Sequence, residues 1–128
     1  MSDKTYLIVA AIGLLETKHL FADFFLQSKR QLKYKGIYAH PIGMLHSAIH
    51  AVGSCVVFLI FPATIVVAAL LVVGEFLLHY HIDWSKERLG SRFKLNITQN
   101  QYWRLFGIDQ WLHHLTYLIY IVVLVPSQ

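Results

Sequence analysis

Histidine and carboxylate residues recur four residues apart inside the apolar segments of this chain. The recurring sets are His19 with Asp23, His46 with His50, Glu75 with His79 and Asp83, and Asp109 with His113. Side chains four residues apart lie on the same face of an α-helix. Imidazole nitrogens and carboxylate oxygens are suitable ligands for Zn²⁺, Mn²⁺ or Fe²⁺. The spacing therefore predicts a metal site assembled from the polar faces of several helices.

Eight of these residues are predicted as metal ligands, namely His19, Asp23, His46, His50, His79, Asp83, Asp109 and His113. Catalytic zinc sites commonly use three protein ligands and keep one position open, so eight candidates are more than one ion needs. Either two ions bind, or one ion binds and the remaining residues orient its ligands. Zn²⁺ is the first expectation, with Mn²⁺ and Fe²⁺ as alternatives. Glu75 and Glu16, placed deepest in their segments, are predicted to serve as general base or acid.

Other polar residues are assigned structural roles. Lys18 is expected to point away from the site and to extend toward water. Tyr117 is expected to contribute interhelical packing and hydrogen bonding. His81 and His114 are expected to orient other groups or lie at the membrane interface. A single histidine in a membrane span usually forms a hydrogen bond to another helix, so the metal prediction depends on the four matched faces together.

Composition indicates an integral membrane protein. The chain has 128 residues, enough for one domain, and is 56% hydrophobic but only 14% charged, whereas soluble domains have about 25% charged residues. The net charge of +4 comes from Lys and Arg placed in two blocks beside apolar segments, so no nucleic-acid partner is expected.

We predict a single integral membrane domain over residues 1–128. Cys55, the only cysteine, excludes an internal disulfide.

Four apolar segments have about the 20 residues that a helix needs to cross a bilayer. They span residues 5–27, 40–61, 63–83 and 108–125. This pattern predicts an all-α, polytopic bundle of four transmembrane helices.

Pro62 decides whether the apolar run in the middle of the chain is one helix or two. Residues 55–73 contain no charge and could form a single span, which would place His50 and His79 at opposite membrane faces. Proline interrupts a helix, so we prefer a tight turn at Pro62 and four spans.

The distribution of Lys and Arg predicts the orientation in the membrane. Loop 28–39 holds Lys29, Arg30, Lys33 and Lys35, and loop 84–107 holds Lys86, Arg88, Arg92, Lys94 and Arg104. Loops rich in Lys and Arg stay in the cytoplasm, so both loops are expected there and both termini are expected outside. The site is then expected in the cytoplasmic half of a bacterial inner membrane.

Within the second loop, Thr98 and Gln101 predict a capping box and a short interfacial helix near residues 98–106.

These motifs resemble those of a family of small bacterial and phage membrane proteins catalogued as a domain of unknown function. The residues concerned are HLFADFFLQ at 19–27, the His46/His50 pair, Glu75 with His79 and Asp83, and Asp109-Gln110 with His113. The resemblance covers nearly the whole chain and implies an integral membrane fold. Over a shorter stretch, His19 and Asp23, followed by Gln27, resemble the HxxxD unit of membrane-bound metal-dependent hydrolases and of zinc-dependent phospholipases and nucleases. This similarity implies phosphoester chemistry with His19 and Asp23 as metal ligands.

The leading functional prediction is a membrane-embedded, metal-dependent hydrolase of a phosphoester or lipid head group. The expected partners are the lipid bilayer and an unknown small or lipid substrate, with a homo-oligomer also allowed. A metal- or proton-coupled transporter could use the same residues, although four spans without internal repeats would need a dimer to form a path. Haem binding is a further alternative, but haem ligation needs no carboxylate beside each histidine. A purely structural or regulatory role in the membrane also stays open.

Overall fold

The computed structural model describes residues 3–125, and the regular elements in that range are all helical. The helices are α1 (Asp3–Leu20), continued by a π-helical turn (Phe21–Phe25), α2 (Lys29–Tyr34), α3 (Pro41–Gly53), continued by a 3₁₀ segment (Ser54–Leu59), α4 (Ile65–Arg92) and α5 (Asn100–Leu124). The prediction of an all-α fold is therefore confirmed. α4 packs against both α3 and α5, and α1 packs against α3 and α5.

The long apolar run in the middle of the chain is broken at Pro62, as predicted. The 3₁₀ segment ends at Leu59, and α4 begins at Ile65 after a non-helical stretch. The Thr64 hydroxyl caps α4 by accepting a hydrogen bond from the Val67 N–H at 3.3 Å. Because α3 and α4 pack side by side, the alternative of one continuous helix over residues 55–73 is wrong.

The predicted loop at residues 84–107 is mostly helical. α4 continues nine residues beyond Asp83 to Arg92, and α5 begins at Asn100. The prediction of a separate interfacial helix near residues 98–106 is therefore wrong, because residues 100–106 form the first turns of α5. The predicted cap is wrong as well, since the Thr98 hydroxyl donates to Asn96 Oδ1 and Gln99 occupies the N-cap position. Helix-forming polar residues follow the apolar part of α4, so the change in polarity does not end the helix.

The first basic loop folds back onto the bundle. Ser28 and Gln31 form a capping box that starts α2, and Gln31 and Lys35 are buried. Gly43 on α3 lies beside this segment, since a Cβ built there would be in ordinary van der Waals contact, at 3.5 Å, with the Lys35 Cα and the Tyr34 carbonyl oxygen. The loop therefore places a lysine at the end of the bundle that carries the histidines.

Many apolar side chains face outward, while Glu75 and most of the predicted metal ligands are buried. Large apolar residues are widely exposed, for example Leu59 (84%), Ile65 (83%) and Val122 (71%). A smaller apolar core contains Ala11, Leu15, Val57, Phe61, Leu71, Tyr117, Tyr120 and Leu124. Two helical segments, Pro41–Leu59 and Ile65–Arg92, are long and apolar enough to cross a membrane. Of the four predicted spans, those corresponding to α1 and α5 do not meet that criterion over the described residues.

Candidate metal centre

Four histidines from three helices meet in the interior of the bundle. His46 and His50 on α3, His79 on α4 and His113 on α5 are completely buried. The ring centroids of His50 and His79 are 3.8 Å apart, those of His79 and His113 4.1 Å, and those of His46 and His50 4.6 Å. The predicted helix faces therefore converge on one place, which we call the histidine cluster.

Two aspartates lie against the histidine cluster. Asp23 Oδ1 is 3.0 Å from His46 Nε2 and 3.2 Å from His50 Nε2. Asp83 Oδ2 is 3.4 Å from the Nε2 atoms of both His46 and His79. Asp23 is carried by the π-helical turn Phe21–Phe25, an irregularity that often occurs at functional sites.

The ligand atoms form two groups that could each hold a metal ion. The first group contains Asp23, His46, His50 and His79, and the second contains His79, Asp83 and His113. Within each group the ligand atoms lie within 4.8 Å of one another. Ligands about 2.0–2.2 Å from an ion are separated by at most roughly 4 Å, so small side-chain movements would bring either group to bonding distance. His79 belongs to both groups.

Unpaired histidine nitrogens support the metal interpretation. The Nε2 atoms of His50, His79 and His113 are buried and make no hydrogen bond of standard geometry among the described residues, although the nearest carboxylate oxygens lie 3.2 Å from His50, 3.4 Å from His79 and 3.9 Å from His113. A buried polar atom without a partner costs about 1–3 kcal/mol, and such atoms are rare in folded proteins. A cation held by these lone pairs would remove that cost. The residues present therefore fit a divalent metal.

His113 is held in an orientation that suits a ligand. Its Nδ1 atom lies 2.9 Å from the backbone oxygen of Asp109, and a proton on Nδ1 donated to that oxygen leaves Nε2 free to bind a metal. The Asp109 carboxylate is 3.9 Å from His113 Nδ1 and belongs to neither group. The adjacent His114 lies partly exposed and contacts Glu16 instead, with Nδ1 2.8 Å from Glu16 Oε1.

His19 lies beside the histidine cluster but outside both ligand groups. Its Nδ1 atom is 2.8 Å from the Tyr117 hydroxyl, and its Nε2 atom is 3.1 Å from Gln110 Oε1 and 3.3 Å from Asp23 Oδ2. Tyr117 therefore holds His19 by a hydrogen bond between helices, in line with the interhelical packing and hydrogen bonding predicted for it. The geometry favours an orienting role for His19, and the prediction that it binds metal directly stays a prediction.

Lys18 points into the bundle, so the prediction that it extends outward is wrong. Its Nζ atom lies 2.8 Å from Glu75 Oε1 and 3.1 Å from the Tyr117 hydroxyl. Gly53 makes room for the lysine stem, since a Cβ at that position would lie 2.8 Å from Lys18 Cγ. A buried glutamate needs a cationic partner, and pairing with Glu75 satisfies both charges.

Lys35 is the other residue whose role was missed. It was predicted only as an orientation signal, yet it is buried with Nζ 2.9 Å from Asp83 Oδ2 and 4.0 Å from Asp23 Oδ1. Its position depends on the fold of α2 over the end of the bundle, and no short motif in the sequence marks it. The proton-transfer roles of Glu75 and Glu16 stay predictions, since Glu75 pairs with Lys18 and Glu16 with His114.

A polar cleft of about 310 Å³ opens onto the two ligand groups. Its lining includes Asp23, Gln27, Lys35, Asp83, Lys86, Tyr102, Phe106, Asp109 and Gln110. Small-molecule sites usually occupy clefts of about 300–1,000 Å³. A molecule in this cleft would therefore reach the aspartates of both groups.

Comparison with known proteins identifies a family. The model of a family described as "Protein of unknown function (DUF3307)" matches residues 12–128, and the predicted resemblance to a domain of unknown function is confirmed. No curated protein and no solved structure matches the chain. The matched residues include every member of the two ligand groups.

Proposed function

The chain belongs to the family described as DUF3307, and from its own geometry we propose that it is a membrane-embedded, metal-dependent hydrolase of a phosphoester or lipid head group. One observation carries this proposal. The Nε2 atoms of His50, His79 and His113 are buried without a hydrogen bond of standard geometry among the described residues, and Asp23 and Asp83 beside them line a cleft of about 310 Å³. A divalent ion would use these nitrogens together with the two carboxylates.

The donor atoms indicate which metal to expect. Both groups combine imidazole nitrogen with carboxylate oxygen, which suits Zn²⁺ first and Mn²⁺ or Fe²⁺ as alternatives. Because His79 is common to both groups, one ion could use either group, and two ions would share that ligand. When bound, a divalent ion supplies a nucleophilic water at neutral pH and stabilises negative charge on a phosphoryl oxygen.

The residues of the cleft supply binding and orientation. Lys35 and Lys86 line it, and their ammonium groups can donate to the oxygens of an anionic substrate. Gln110 Nε2 donates to Asp109 Oδ2 at 3.1 Å and keeps that carboxylate oriented. In the proposed reaction the water oxygen bonds to phosphorus and the bond from phosphorus to the ester oxygen breaks. The proton lost by the water is taken up by the leaving oxygen.

We also propose that all four long helices cross the bacterial inner membrane, with both termini outside and both basic loops in the cytoplasm. Exposed apolar side chains on every long helix support this arrangement, together with the burial of the histidines and aspartates. Lipid would cover the apolar surface. The ligand groups and the basic loops lie at the same end of the bundle, so the cleft would face the cytoplasm.

Metal analysis combined with a hydrolysis assay tests the proposed function. Protein purified in detergent after growth with Zn²⁺, Mn²⁺ or Fe²⁺ should contain stoichiometric metal and hydrolyse p-nitrophenyl phosphate or its diester. Asp23→Asn should lose hydrolysis and bind less metal, because Asp23 Oδ1 faces two imidazoles of the first group. Asp3→Asn, near the start of α1 and outside both groups, is the control. Absence of metal in the wild-type protein, together with equal hydrolysis by Asp23→Asn, would sink the proposal.

Coupled transport is the second candidate, and the buried Lys18–Glu75 pair favours it. This ion pair lies inside the bundle and contacts Tyr117, and charged pairs in membrane interiors often mark ion pathways. Metal or proton flux into proteoliposomes separates the two functions. Flux without hydrolysis that is abolished in Glu75→Gln would favour the transporter.

A further inference from the structure

An apolar groove adjoins the polar cleft on the outer side of α4 and α5. Its volume is about 220 Å³, and its apolar lining comes from Leu78, Ile82, Leu89, Leu105, Ile108 and Leu112. Lys86 and Asp109 line both the groove and the cleft. The two cavities therefore meet at these residues, one polar and one apolar.

The charges of the polar cleft favour an anion once a metal is present. Two ammonium groups, of Lys35 and Lys86, face the three carboxylates of Asp23, Asp83 and Asp109. One bound divalent cation makes the net formal charge of this set positive. Lysine donates up to three hydrogen bonds, so both side chains can bind an oxyanion while they keep their present partners, Asp83 and Glu87.

The groove is open at the surface where apolar side chains are exposed. Ile108 is 55% exposed, and Leu78 and Leu89 are also exposed beside it. A small water-soluble phosphoester would contact only the polar cleft. An apolar groove that joins an anion site matches a molecule with a charged head and a hydrocarbon tail.

We propose that the cleft and the groove together bind a phosphate-bearing lipid. Its phosphate lies over the ligand groups between Lys35 and Lys86, and one acyl chain lies in the groove between α4 and α5. This assignment rests on the proposed hydrolase function and names its substrate class. Ile108 and Lys86 are then specificity-determining residues, one for the acyl chain and the other for the phosphate.

Lipid binding to the purified full chain in detergent micelles tests the assignment. The probes are dioleoyl phosphatidic acid, dioleoyl phosphatidylcholine, oleate and glycerol 3-phosphate, measured by equilibrium binding. Phosphatidic acid should bind at least roughly tenfold more tightly than each of the other three, because only it combines an exposed phosphate with acyl chains.

Two variants assign the parts of the site. Ile108→Trp fills the groove and should weaken phosphatidic acid binding by roughly tenfold or more. Val122→Trp is its matched control, because Val122 lies exposed on the same helix and lines neither cavity. Lys86→Gln should weaken the binding of phosphatidic acid and leave that of phosphatidylcholine unchanged.

Several results would overturn the assignment. If Ile108→Trp binds phosphatidic acid as the wild-type protein does, the groove is not the acyl-chain site. If glycerol 3-phosphate binds as tightly as phosphatidic acid, the substrate is water-soluble. If oleate or phosphatidylcholine binds as tightly as phosphatidic acid, the site does not recognise an exposed phosphate. Release of inorganic phosphate from phosphatidic acid, measured on the same metal-loaded samples, separates this proposal from the hydrolase. If the metal-bound wild-type protein releases no phosphate but its lipid binding depends on Ile108 and Lys86, the lipid site stands and the hydrolase reaction fails.

Discussion

Replacing His79 with alanine removes the one imidazole that both ligand groups share. His50 belongs to the first group alone and His113 to the second group alone. We therefore expect His50→Ala and His113→Ala to weaken one metal-binding step each. His79→Ala should weaken both steps, and this difference is the signature of a shared ligand.

The size of the effect follows from the number of ligands. Structural zinc sites with four ligands bind their ion with about 10–16 kcal/mol, so one ligand accounts for roughly 3 kcal/mol. That free energy corresponds to a loss of affinity on the order of 100-fold. The second group has three protein ligands, so its loss should be at least as large.

The assay is metal content by elemental analysis, followed by competition titration with a chelator of known affinity. His81→Ala is the matched control, because His81 lies two residues further along α4 and is exposed. Its Nδ1 atom is 2.7 Å from the Leu77 backbone oxygen, outside both groups. The reasoning is refuted if His79→Ala binds metal as the wild-type protein does, or if His81→Ala loses as much affinity.

Three further predictions concern residues around the histidine cluster. Glu75→Ala should lower the free energy of unfolding in detergent by about 3–5 kcal/mol, because it leaves the Lys18 ammonium buried without its partner. The double variant Lys18→Met/Glu75→Leu should have a stability close to that of the wild-type protein, because neither charge remains buried alone. Equal melting temperatures of Glu75→Ala and the double variant would contradict this. Gly53→Ala should lower the melting temperature, since the new methyl group would collide with the Lys18 stem. Gly13→Ala, with no atom within 4 Å of the new Cβ, should raise it by removing helix-unfavourable glycine, and a fall in both variants would argue against a specific collision. Lys35→Gln should raise metal affinity severalfold, because a cation is removed from beside a ligand carboxylate, and should weaken phosphate binding. Titrations with metal and with inorganic phosphate measure the two changes in affinity. A lower metal affinity in Lys35→Gln would contradict this prediction and would show that Lys35 supports the site.

Helix content and the break at Pro62 could be predicted because they depend on local properties of the chain. Apolar runs of sufficient length form helices, and proline interrupts them. Helix ends were harder to predict, as α4 and α5 show. Residues 84–92 and 100–107 differ from the apolar segments in polarity but not in helix-forming ability, so a change in composition does not mark a helix end here.

For the candidate site, the helix faces that carry the ligands could be predicted from the sequence, but the contacts between helices could not. Spacing of four residues places His46 over His50 and His79 over Asp83, and this follows from helix geometry alone. Which atoms meet across helices depends on crossing angles and on the π-helical turn that carries Asp23. The sequence therefore indicated the members of the site without separating direct ligands from neighbours such as His19.

The sequence by itself determined that polar faces rich in histidine and aspartate lie on apolar helices, because helical periodicity acts over one or two turns. Only the tertiary structure decided that Lys18 turns inward to Glu75, 57 residues away, and that Lys35 reaches Asp83. It also decided that His79 belongs to both ligand groups. These contacts join residues far apart in the chain. They exist because helix packing, with the room that Gly53 leaves for Lys18, brings together charges that must be paired once buried.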